Sequence, residues 1–202
     1  DFKSIYSMVP AVISLLLIFI PSILMALSVV REKELGSIVN FYATPVTKME
    51  FLLGKQLPYI VVSMVSYFGL VFISIFIFQV PLKGSLFTLT LGAFLYIICT
   101  TGMGLFISSF VKTQIAALTG TAILTLLPTI QLSGLKEPVS SLEGIAFYIG
   151  NIFPVTYFIN ISRGVFSKNV SFNELYFGFF VLSISIFVIL FFSLLVLNKQ
   201  EK

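Results

Sequence analysis

Few side chains in this sequence are equipped for chemistry, and none is grouped to perform it. The 202 residues include no histidine, a single cysteine (Cys99) and a single aspartate (Asp1). A nucleophilic serine would find no imidazole to take its proton, an aspartyl dyad would lack its second carboxylate, and a zinc ion would lack its usual ligands. No Gly-x-x-x-x-Gly-Lys-Ser/Thr stretch occurs, so no loop is built to cradle the phosphates of a nucleotide. Cys99 sits inside an apolar run with no second thiol to join, and reads as a small packing residue. What remains is charge. Arg31, Glu32, Lys33 and Glu34 follow one another with alternating sign, and Lys55 stands some twenty residues beyond. Such groups make ion pairs and docking contacts, not covalent steps.

The elements that must carry these charges are apolar. Hydrophobic residues make up 58% of the chain and charged ones 10%, with a mean hydropathy of +1.09. A water-soluble domain carries about 25% charged residues, so this composition points to lipid as the solvent. The net charge of +4 comes from Lys and Arg residues spaced singly between apolar runs. They form no stripe that could follow a nucleic-acid backbone, and juxtamembrane anchoring accounts for them. The sequence opens on Asp1, with no charged leader before a short apolar core. No cleavable signal is expected, and the sequence is expected to be part of something longer.

Crossing a bilayer takes about 20 apolar residues at about 1.5 Å of rise each. Five runs meet this: 7–30, 57–80, 86–110, 115–133 and 175–197. None holds Asp, Glu, Lys, Arg or His, whereas an ion-coupled carrier keeps an ionisable group within the membrane. The fold class is therefore an all-α polytopic membrane protein with five transmembrane helices. Pro58 is placed in the first turn of the second span, where its missing N–H costs little. Thr100, Gly104 and Ser108 repeat at four-residue spacing, as do Ala116 and Gly120, so both sets are expected to let helices pack closely. Pro154 interrupts the apolar stretch 144–161, which argues against a sixth crossing and for a re-entrant or interfacial helical pair over 134–174. Five crossings put Arg31, Lys33, Lys48, Lys55, Lys112, Lys199 and Lys202 on one side. Lys3, Lys83, Lys136, Arg163 and Lys168 fall on the other; seven against five points to the first side as cytoplasmic, but so small a bias leaves orientation to another source.

Between the first two spans, Leu35, Ile38, Val39 and Tyr42 fall at i, i+3, i+4 and i+7, one face of an amphipathic helix over about 31–46. Thr44-Pro45 breaks the pattern. Thr47 and Glu50 have the spacing of a capping box that starts the next helix. A surface helix joined to a span at each side is either a lever that moves both or an ordinary interfacial anchor.

The stretch Arg-Glu-Lys-Glu-Leu-Gly-Ser at 31–37, with Ala-Thr-Pro-Val at 43–46 and Gly54-Lys55, resembles the ABC-2 family of ABC-transporter permeases. So do Leu132-Ser133-Gly134, Pro138-Val139-Ser140-Ser141-Leu142, Pro154-Val155-Thr156-Tyr157-Phe158 and Arg163-Gly164-Val165-Phe166. Leu35 and Val39 depart from the family's commoner charged residues, Lys136-Glu137 is more polar than usual, and Asn169 stands where glycine is frequent. The resemblance spans nearly the whole chain. It implies a permease subunit of an ATP-driven exporter in a bacterial inner (plasma) membrane, moving an amphiphilic or hydrophobic substrate. Export rests on the family resemblance alone, and import or lipid flipping are alternatives within the same family.

The resemblance also implies a cytoplasmic coupling helix docked on a separate nucleotide-binding ATPase, and an extracytoplasmic re-entrant hairpin. Coupling then falls to Arg31, Glu32, Lys33, Glu34, Gly36, Ile38, Tyr42, Thr44, Pro45 and Lys55. The gate falls to Ser133, Gly134, Pro138, Pro154, Thr156, Tyr157, Arg163 and Gly164. Pro154 and Gly164 would permit sharp turns, and Arg163 would reach a headgroup or a helix C-terminus. This chain would bind no cofactor; ATP and Mg would sit on the partner ATPase, and a second permease subunit would complete the transporter. A passive channel or an assembly scaffold is the competing reading.

Overall fold

The computed structural model describes residues 2–36, 47–134, 139–168, 170 and 172–199, and every regular element among them is helical. Helix α1 (Phe2–Glu34), α2 (Lys48–Phe76), α3 (Leu86–Phe110), α4 (Gln114–Leu132) and α7 (Phe172–Lys199) are long. Between α4 and α7 lie a 3-10 turn (Val139–Ser141), α5 (Ile145–Ile152), α6 (Pro154–Arg163) and a π-helix (Gly164–Lys168). The five long helices are long and apolar enough to cross a membrane, over Met8–Glu34, Met49–Phe76, Leu86–Phe110, Gln114–Leu132 and Phe172–Val196. The chain is thus a multi-pass membrane protein. The α5–α6 pair is bent by 67° at its break, the broken element that Pro154 foretold.

The second span, read to residue 80, ends at Phe76, and two further differences from the sequence reading bear on the site. Arg31–Glu34 is not the opening of a separate surface helix; it is the last turn of α1. Hydrogen bonding runs on through Leu35 N–H to Arg31 O (3.0 Å) until Gly36, at φ +70°, turns the chain away. Only glycine takes that conformation without steric cost, which makes Gly36 the terminator. Pro58, in turn, lies not in a first turn but ten residues beyond Lys48, inside α2. The helix starts earlier because Thr47 and Glu50 form the capping box: Thr47 N–H donates to Glu50 Oε2 (2.9 Å) and Glu50 N–H to Thr47 Oγ1 (3.3 Å). Replacing Thr47 by alanine is expected to fray this start by about 1 kcal/mol. Amide exchange at Met49–Phe51 should rise by about fivefold, and unchanged exchange would mean the box contributes nothing.

Helices α1 and α3 form the central pair. Helix α7 packs on α3, α4 on α1, α2 against both, and α6 fits among α1, α3 and α7. The close approach of α1 and α3 follows from small residues. A methyl group on Gly104 would lie 2.2 Å from Ser22 O, and Ser22 Oγ donates to Thr100 O at 2.7 Å. The repeat Thr100–Gly104–Ser108 therefore packs helices as expected. At Gly120 the Ala116–Gly120 repeat packs on no neighbouring helix: among the described residues, no atom lies within 4 Å of where a Gly120 side chain would begin. Helix α4 instead buries Ala117, Thr121, Thr125, Thr129 and Ser133, the neighbouring four-residue stripe. Tyr96 is fully buried at the centre of the bundle. Its ring stacks on Phe158 at 4.4 Å, and its hydroxyl donates to Ser14 O at 2.9 Å, so one side chain joins α1, α3 and α6.

Candidate functional site

Successive helical residues point about 100° apart, so four in a row cover the whole circumference. That geometry sends the charged turn of α1 in four directions. Glu32 pairs with Lys55 of α2, whose ammonium also lies 5.3 Å from the centre of the Phe51 ring. Lys33 Nζ donates to Ser108 O at 2.8 Å. Ser108 is among the last four residues of α3, whose carbonyls have no partner within the helix. Glu34 Oε1 accepts from the Gln114 backbone N–H at 2.8 Å, and Glu34 Oε2 accepts from the Gln114 side-chain amide. Gln114 is the first residue of α4, where Thr113 Oγ1 also caps Ala116 N–H.

The signs fit the helix ends. A cation meets the carbonyl end of α3 and an anion the amide end of α4, as the helix dipole favours. Three consecutive side chains thus tie α1 to α2, α3 and α4. Arg31 and Leu35, 40° apart around the helix, share the remaining direction; both are exposed, Leu35 by 71%.

Beside this turn lies a residue that sequence reasoning passed over. Gln56 is buried, and its Nε2 donates to Ile98 O (2.9 Å) and Thr101 Oγ1 (2.7 Å), fastening α2 to α3. Its Oε1 has no partner among the described residues. The signal was a lone amide immediately after Lys55 at the head of an apolar run. Ile38, Tyr42, Thr44 and Pro45 lie outside the described residues, as does Pro138.

At the opposite end of α4 stands the broken pair. Pro154 has no N–H, so the carbonyl four residues earlier, Gly150 O, loses its helical donor. Thr156 Oγ1 supplies the missing hydrogen bond at 2.7 Å, and the Tyr157 hydroxyl does the same for the next carbonyl, Asn151 O, at 2.5 Å. Both residues therefore serve the break itself. Gly150 is also where α5 meets the end of α4 backbone to backbone, since a methyl group there would lie 2.5 Å from Leu132 O. Arg163 Nη1 donates to Gly134 O at 2.8 Å, just past the C-terminus of α4, where Gly134 has φ +80°. Ser133 is buried and donates to Thr129 O. Gly164 makes no sharp turn; at φ −61° it continues α6 into the π-helix. The bend belongs to Phe153–Pro154 alone, because only there is a helical donor missing. On the outer flank of the π-helix, Gly84 N–H donates to Val165 O at 2.8 Å, seating the α2–α3 connection on it.

Residues 2–195 match the family described as ABC-2 family transporter protein. A relative in Escherichia coli (strain K12), named "Probable multidrug ABC transporter permease YbhS", is 32% identical over 158 residues, 78% of this chain and 42% of that protein. A second, "Probable multidrug ABC transporter permease YbhR" of the same strain, is 29% identical over 171 residues, 85% of this chain and 46% of that protein. "ABC transporter G family member 20" of Dictyostelium discoideum is 26% identical over 179 residues, 88% of this chain and 24% of that protein. The chain thus spans less than half the length of each of these relatives. No solved structure matches it.

Proposed function

Because this chain belongs to the ABC-2 family of transporters, we propose that it is the membrane-spanning permease part of an ATP-driven exporter, worked by a separate nucleotide-binding ATPase. Its substrate is amphiphilic or hydrophobic, its setting a bacterial inner membrane, and a second permease subunit, identical or homologous, completes the path. Sequence similarity to proteins named multidrug permeases supports the substrate class. ATP and Mg belong to the partner, and the chain itself transports without catalysing a reaction.

The observation that carries this reading is the charged turn. The segment 37–46 is bracketed by the last turn of α1 and the capped first turn of α2, and Glu32 and Lys55 bridge the two. A push on that segment must therefore move at least two spans together. In this reading the turn faces the cytoplasm, Arg31 and the 37–46 segment meet the ATPase, and the broken pair forms the outer gate.

The experiment uses the full-length protein that contains this chain. It should bring down an ATPase from its own membranes and accumulate a hydrophobic dye in inside-out vesicles only when ATP is supplied. Reversing the charge at both Glu32 and Glu34 should lower that uptake by about tenfold or more, since two charge-assisted contacts are lost, while the protein still inserts. A passive channel would equilibrate dye without ATP. Labelling that placed residues 31–55 on the outer face would remove the reading altogether, because no cytoplasmic motor could reach them.

A further inference from the structure

Helix α4 is held differently from its neighbours. It touches α1 along one stripe, while Ile115, Leu118, Ile123, Leu124 and Leu127 stand exposed. Its two ends are fastened by polar contacts to different parts of the molecule. At the first, Glu34 takes both the backbone and the side-chain N–H of Gln114. At the second, Arg163 donates to Gly134 O, and Gly150 lies against Leu132 O. Nineteen helical residues at about 1.5 Å each separate the two fastenings by roughly 28 Å.

We propose that α4 is a connecting rod, with Glu34 and Arg163 as the positioning residues at its two ends, so that displacement of the α1 turn is delivered to the broken α5–α6 pair. The proposal rests on the permease reading and adds to it the route by which coupling crosses the membrane. A helix transmits axial motion well because shortening or stretching it would break its own hydrogen bonds, which lie along the axis; in α4 the bond that Leu124 O would accept is missing at Pro128. The weak link in such a rod is its attachment. One fastening joins an acid to unpaired helix-start amides, and the other a guanidinium to a carbonyl at the helix end; each is a charge-assisted bond in the favoured direction.

The test places one reporter at each end of the path in the full-length protein, reconstituted with its ATPase in lipid. Spin labels are attached at Leu35 on the turn and, separately, at Ile149 on α5, both exposed, and spectra are compared with and without a non-hydrolysable ATP analogue. The readout is the response at Ile149 divided by the response at Leu35. Glu34→Ala and Arg163→Ala should each lower this ratio by about fivefold, the loss of the charge-assisted fastening at that end. Glu34→Gln, which keeps an acceptor for the Gln114 N–H, should restore much of it. A ratio unchanged in both alanine variants would overturn the rod.

Absence of any nucleotide response at Leu35 in the unmodified protein would sink the permease reading instead. The rod is then judged by thermal unfolding of the two single variants and the double. Sites this far apart add when independent. A double variant less damaged than the sum supports a shared rod, and strict additivity refutes it.

Discussion

Gly104→Val is expected to give the largest loss of stability of any single substitution in the bundle. The first side-chain carbon would lie 2.2 Å from Ser22 O and 2.9 Å from Ser22 C, both main-chain atoms of the facing helix. Neither can rotate aside, so α1 and α3 must part by about an ångström along their central contact. Parting them lengthens the Ser22–Thr100 hydrogen bond and loosens the layer that holds Met25. A cost of about 3 kcal/mol or more follows, which for a chain of this length corresponds to a fall in Tm of roughly 10 °C. Thermal unfolding in detergent, followed by size-exclusion, checks it. Gly120→Val is the control: nothing among the described residues lies within 4 Å of that position, so its Tm should move little. Equal losses at the two positions would show that helix propensity, and not backbone contact, governs both.

The second large effect is expected at the broken pair, from Thr156→Val and Tyr157→Phe together. Each replacement keeps the shape of the side chain and removes the hydroxyl. Gly150 O would then lose the hydroxyl that replaces the N–H missing at Pro154, and Asn151 O the hydroxyl that pairs it across the bend. In a membrane no water stands ready to substitute, so an unpaired carbonyl bears its full desolvation cost. Thr156 is buried and should contribute about 2 kcal/mol; Tyr157, itself half-buried and with its acceptor on the half-buried Asn151, should contribute about 1 kcal/mol. Hydrogen exchange across Pro154–Arg163 should accelerate in the double variant while exchange in α3 stays slow. Uniform acceleration through the bundle would mean that the two hydroxyls support the whole fold, not the bend.

These expectations bear on what the family motifs do in this chain. Of the residues that the resemblance assigned to a gate, Thr156 and Tyr157 repair a break and Arg163 fastens it to α4. Within the coupling motif, Glu32, Lys33 and Glu34 all reach groups of the same chain. The charge reversal at Glu32 and Glu34 therefore acts inside the permease as well as at any docking surface. Arg31 is exposed beside Leu35, and Glu34 is exposed too while it holds Gln114.

Span number was legible because crossing a bilayer is a property of length and apolarity in one dimension: the third span was read at Leu86–Phe110 and observed there. The capping box at Thr47–Glu50 was legible too, since its partners are three residues apart. Pro154 announced a break because a missing N–H acts on its own helix. Pro58 was misplaced because an apolar window marks where the bilayer begins, not where the helix does.

The destinations of the charged side chains were a different matter. Nothing in Arg-Glu-Lys-Glu states that its three inner members reach α2, α3 and α4, because each direction depends on how α1 is rotated against its neighbours. That rotation is set by distant contacts such as Gly104 against Ser22 and Tyr96 on Phe158. The local chain thus determined which segments are helices and where they break. Tertiary packing decided which faces meet, and with them which charges bind helix ends, because contact between helices requires two surfaces and a sequence displays only one at a time.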